Sequence, residues 1–144
     1  SLDKIKKNHH LIPLWKVCCP KACGGLKGMR RETLPKHQIF LVDNKTITTE
    51  TYNVIFTSES KQECENLIVT LQTDLCRYLF SVRKFTQNFA RKTFAWVPFM
   101  GTAKAWTDSE LFSFFDITKQ EQEHIHGMVI DWGFTKKAKS ALKV

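Results

Sequence analysis

At 144 residues, with 42% hydrophobic and 25% charged side chains, the chain is long enough for one domain with a sizeable core and too short for two large ones. Lys and Arg number 22 against 14 Asp and Glu, giving a formal charge of +8 and a pI near 9.4, which biases the chain toward polyanionic partners. No apolar run approaches the roughly 20 residues a bilayer needs, and no leader pattern is seen, so the expectation is a soluble, cytoplasmic protein with no membrane partner. Cys18, Cys19, Cys23, Cys64 and Cys76 are odd in number and irregularly spaced, which predicts free thiols in a reducing compartment rather than a disulfide framework.

The charge is distributed in blocks. Residues 1–40 carry nine basic and two acidic side chains, 41–76 two and six, 77–105 six and none, 106–134 one and six, and 135–144 four and none. Alternation of this kind can build one basic and one acidic face, although terminal runs such as Lys136, Lys137, Lys139 and Lys143 also serve simply to solubilise.

Residues 1–11 read as a tail. Residues 12–19 are short, apolar and β-prone, which predicts a strand with Pro13 near its start, where a missing N–H is tolerated. Gly24, Gly25 and Gly28 lie beside Lys21, Lys27, Arg30 and Arg31, and match neither a P-loop nor a dinucleotide fingerprint. That segment reads either as an ordinary connection or as a pliable loop that brings basic groups to phosphates. Residues 38–42 and 46–49 flank the turn residues Asp43-Asn44-Lys45, and residues 52–57 are again β-branched and aromatic, so a small antiparallel meander is expected.

The strongest periodicity follows. Ser58 to Ser60 can cap a long helix in which Cys64, Leu67, Ile68, Leu71, Leu75, Tyr78, Leu79 and Val82 form one apolar stripe. On its far side Arg77, Ser81, Lys84, Asn88 and Arg91 stay within about a third of a turn of one another. A solvated face is the plain reading of such a stripe. The alternative is nucleic-acid contact, because no acid balances the stripe and Gln87 and Asn88 add amides of the kind that read adenine edges. Residues 94–99 are aromatic and contain Pro98, consistent with an extended segment that covers the helix's apolar face. Thr107 with Glu110, and Thr118 with Glu121, are capping-box signatures that predict two short helices, the second with Ile117 as a hydrophobic staple.

The fold expected is α+β: a small antiparallel sheet packed against one long amphipathic helix and followed by two short helices. It spans 12–134 as a single domain, with 135–144 a basic C-terminal tail.

No catalytic constellation can be assembled. Pro13, Pro20, Pro35 and Pro98 are isolated, so the Pro-Pro-aromatic motif with which amino-methyltransferases hold an exocyclic amine is missing, and no strand-terminal Gly-x-Gly offers a cofactor site. His9 and His10 with Cys18, Cys19 and Cys23 lack the paired two-ligand knuckles of zinc sites, and His124 and His126, two apart on a helix, do not share a face. No metal site is assigned.

Three stretches in order carry a resemblance: Trp15 to Gly25 (WKVCCPKACGG), Glu63 through Pro98 around Arg83-Lys84-Phe85-Thr86-Gln87-Asn88, and Trp106-Thr107-Asp108-Ser109-Glu110-Leu111 through Ile125. Together they resemble the C-terminal, target-recognition region of adenine-specific DNA methyltransferases of bacterial restriction-modification systems, over roughly residues 12 to 126. In that family the catalytic domain, with its cofactor site, precedes this region. The resemblance therefore implies a double-stranded DNA-binding fragment that works with the parent's catalytic domain, has no catalytic residue and no cofactor of its own, and leaves S-adenosylmethionine and base flipping to that other domain. At Asp116 the family pattern tends to have glycine. The DNA contacts expected are Arg77, Lys84 and Arg91 on phosphates, Arg83, Gln87 and Asn88 near base edges, and Lys27, Arg30 and Arg31 as a second contact. The competing reading is a protein-interaction or subunit-docking module whose basic face is only solvated.

Overall fold

The computed structural model describes residues 7–22, 38–83 and 91–129. The chain is α+β, and the described residues form a three-stranded antiparallel sheet and four α-helices. The strands are β1 (Trp15–Pro20), β2 (Phe40–Val42) and β3 (Tyr52–Ser58), in the order β2-β1-β3.

This order corrects the expected meander: the first strand is central, and residues 46–49 form no strand. The reason lies in β1 itself. Successive side chains alternate between faces, yet Lys16, Val17, Cys18 and Cys19 are all buried, so both faces of β1 are covered and both of its edges are paired. The register places Val17 opposite Leu41 on one side and opposite Phe56 on the other. Between Val17 and Cys18 it shifts, leaving Ile55 as the extra residue of a bulge in β3.

The single long helix is also corrected. Helix α1 (Lys61–Leu71) is capped by the Ser60 hydroxyl, which accepts from the Glu63 amide, and it stops at Gln72. Helix α2 (Asp74–Arg83) is a separate element. Thr73 starts it anew by accepting the Cys76 amide at 3.4 Å while donating its hydroxyl proton to the Thr70 carbonyl at 2.7 Å. The Asp108 carboxylate completes the cap, accepting the amides of Asp74 at 2.9 Å and Leu75 at 3.0 Å. The first three orphan donors of α2 are thus satisfied.

The break at Gln72 and Thr73 resets the phase of the stripe. In α1 the buried residues are Cys64, Leu67 and Leu71 of the predicted stripe together with Thr70, but in α2 they become Leu75, Cys76, Arg77, Phe80 and Ser81. Arg77 and Ser81 therefore lie inside, whereas the uninterrupted pattern put them outside.

The two short helices form as expected, α3 (Asp108–Phe114) and α4 (Lys119–Met128), each with a complete capping box, Thr107 with Glu110 and Thr118 with Glu121. Helix α3 ends in a Schellman arrangement: the Ile117 amide bonds the Phe112 carbonyl at 2.9 Å and the Asp116 amide the Ser113 carbonyl at 3.4 Å. This requires a left-handed residue between them, and Asp116 supplies it at φ 53°. Leu111, Phe112 and Ile125 then join Val17, Cys19, Leu67, Leu71 and Phe80 in one core. Among the described residues no helix is long and apolar enough to cross a membrane.

Candidate nucleic-acid interface

The basic, acid-free segment 77–105 contributes the end of α2 and the 3-10 turn Arg91–Trp96. Within that turn Phe94 packs edge-on against the fully buried Phe80, with ring centroids 4.9 Å apart, and Thr93 is buried. Val97 and Met100 also rest on the core. Once these are anchored, Lys92, Trp96 and Phe99 are left outside, Trp96 at 50% exposure and Phe99 at 68%.

Arg83, the last residue of α2, lays its guanidinium over the Trp96 ring at 4.9 Å. An arginine held flat on an exposed indole is a cation–π pair that keeps both its charge and an aromatic face at the surface. Lys92 is exposed and has no acidic partner among the described residues.

The remaining candidate contacts fall elsewhere. Arg77 is fully buried, and its guanidinium meets the Asp74 carboxylate at 3.4 Å, so it is an interior charge and not a phosphate contact. Asp74 also reaches Nδ1 of His126 at 2.7 Å, which ties α4 to α2. Lys84, Gln87, Asn88, Lys27, Arg30 and Arg31 lie outside the described residues, as does the side chain of Arg91. Lys104 stands 4.0 Å over the Trp106 ring and pairs with Glu110 at 2.7 Å, so its charge is already matched. That pairing, together with hydrogen bonds from Thr107, draws the Glu110 carboxyl down to about 2.

The sequence reading missed Trp96 and Phe99 as surface groups, because it assigned the whole aromatic run 94–99 to covering the core, and it gave Lys92 no role. The available signal was local. Pro98, which has no backbone N–H to give, follows the turn that ends at Trp96, so the run could not continue as one covering element.

The histidines are partly structural. The Tyr78 and His124 rings meet edge-on at 5.8 Å and those of Phe112 and His126 at 5.5 Å. Among the described residues no cluster of three or more His, Cys, Asp or Glu side chains is placed to hold a metal ion. The described cysteines are buried and unbridged, and desolvation pushes Cys18 and Cys76 up to about 11, opposite to the direction that activates a thiol. No family model, curated protein or solved structure matches the chain.

Proposed function

We propose that the chain is a DNA-binding, target-recognition fragment of a restriction-modification adenine-N6 DNA methyltransferase, a cytoplasmic protein acting on duplex DNA. The observation that carries the reading is the Arg83 guanidinium stacked on the half-exposed Trp96 ring, with the exposed Lys92 in the same turn as Trp96, in a stretch of 29 residues without one carboxylate. Cations on phosphates and aromatic faces against sugars or bases are the groups such binding uses. Lys84, Gln87, Asn88 and Arg91 belong to the same stretch and extend the proposed contact, the amides toward adenine edges; Lys27, Arg30 and Arg31 are its second arm.

The Asp116 turn lends support to the resemblance. Where the family pattern tends to have glycine, the backbone here is left-handed, the conformation glycine adopts most readily and aspartate tolerates. Methyl transfer and S-adenosylmethionine belong, on this reading, to a catalytic domain outside this chain. The described glycines, Gly101 and Gly127, follow no strand and form no cofactor cradle.

A titration of labelled duplex DNA with the full chain at several salt concentrations tests the proposal. Affinity that falls linearly in log K against log salt is expected. A second reading, subunit docking, is favoured by the exposed ring pair Phe114 and Phe115, 5.0 Å apart. It predicts concentration-dependent association with a protein partner and no DNA binding.

A further inference from the structure

Between the turn His9–Leu11, the connection that precedes β3 and the first residues of β3 lies a cleft of about 560 Å³. Among the described residues three lysines line it, Lys7, Lys16 and Lys21, against a single acid, Glu50. Lys16 is only 2% exposed, and its ammonium donates to the carbonyls of Ile12 at 3.2 Å, Leu14 at 2.7 Å and Asp43 at 3.1 Å. These bonds use all three of its protons, so it fixes a positive charge in the wall and leaves direct contact to others.

The Asp43 carboxylate, held low by hydrogen bonds from Thr46 and from the Lys45 amide at 2.9 Å and, to a lesser degree, by the Lys16 charge, does not line the cleft. Lys7 and Lys21 are exposed and have no carboxylate partner among the described residues. Beside them the wall is apolar and aromatic: Ile47 is 49% exposed and Tyr52 39%, with the Tyr52 ring held edge-on against Phe40 at 5.4 Å. A fixed buried charge, two available ammonium groups and a flat apolar wall complement a molecule that joins an anion to a planar body.

We propose that this cleft binds a phosphorylated nucleoside, either a free mononucleotide or the phosphorylated end of a nucleic-acid strand. It shares no residue with the Arg83, Lys92 and Trp96 surface, so it stands or falls independently of the DNA-binding reading.

Calorimetric titrations of the full chain with adenosine 5′-monophosphate, with adenosine, and with a short single strand bearing either a 5′-phosphate or a 5′-hydroxyl test it. The expected result is that a phosphorylated probe binds about tenfold more tightly than its unphosphorylated counterpart, and that combining Lys7→Ala with Lys21→Ala removes this preference. Tyr52→Ala should weaken the phosphorylated and unphosphorylated probes alike. Mononucleotide binding identifies a free ligand, whereas preference for the phosphorylated strand alone identifies a chain end. Both lysines are exposed, and an unchanged thermal midpoint checks that the double variant folds. Equal binding of phosphorylated and unphosphorylated probes, or a preference that survives in the folded double variant, would overturn the proposal.

Discussion

Arg77 shows how far one residue's role depends on its surroundings. A guanidinium with no exposed surface must be compensated inside the protein, and Asp74 at 3.4 Å is one of its partners. Arg77→Met should destabilise the fold by about 2 kcal/mol, because it removes a charge-assisted hydrogen bond to the partly buried Asp74 carboxylate, while the salt dependence of DNA binding stays as in the parent. Urea denaturation and a binding titration on the same variant check both halves. Asp116 makes the opposite prediction. It holds a left-handed backbone at φ 53° with an exposed side chain, so Asp116→Gly should leave stability unchanged or raise it by up to about 1 kcal/mol, whereas Asp116→Val should lower it. Neither position announces its environment in the sequence. Arg77 reads as a surface cation, and an aspartate before a capping threonine does not reveal a positive φ.

At the scale of elements, capping chemistry was the most legible signal and hydrophobic phase the least durable. Both capping boxes form as Thr107, Glu110, Thr118 and Glu121 predict, since they need only four consecutive residues. The apolar spacing through 64–82 was legible as helix, but the cap that divides it depends on Asp108, 34 residues away from Asp74 in sequence, and no local periodicity contains that contact. Asp108→Ala should cost about 1 to 2 kcal/mol, more than an ordinary exposed substitution, because two amides of α2 lose their acceptor. The capping carboxylates also fix a pH dependence. Lys104 and Thr107 lower the Glu110 carboxyl from 4.5 to about 2, and hydrogen bonds from Thr118 lower that of Glu121. A carboxylate whose folded pKa is depressed stabilises the fold fully above its unfolded pKa and loses that contribution as the pH falls through the folded value. The thermal midpoint should therefore drop as the pH is lowered from about 4.5 toward 2, and Glu110→Gln should show a shallower drop.

Across the whole molecule, the class of fold was legible because a β-rich half and a helical half differ in period, while strand order was not. Only the burial of Lys16 through Cys19 on both faces makes β1 central, and that burial depends on α1 and on the partners at both edges. The charge blocks were legible too, but which cations reach the surface was decided by packing: Arg77 went inward, Lys104 found Glu110, Arg83 settled over the Trp96 ring and Lys92 stayed exposed. The most direct test of the account is the slope of log K against log salt for duplex binding, measured for the full chain and for the variant combining Arg83→Ala and Lys92→Ala. The account predicts weaker binding to every duplex and a slope flattened by about 0.9 for each lost phosphate contact, with an unchanged thermal midpoint. A folded variant that binds as the parent does, with the same slope, would contradict it.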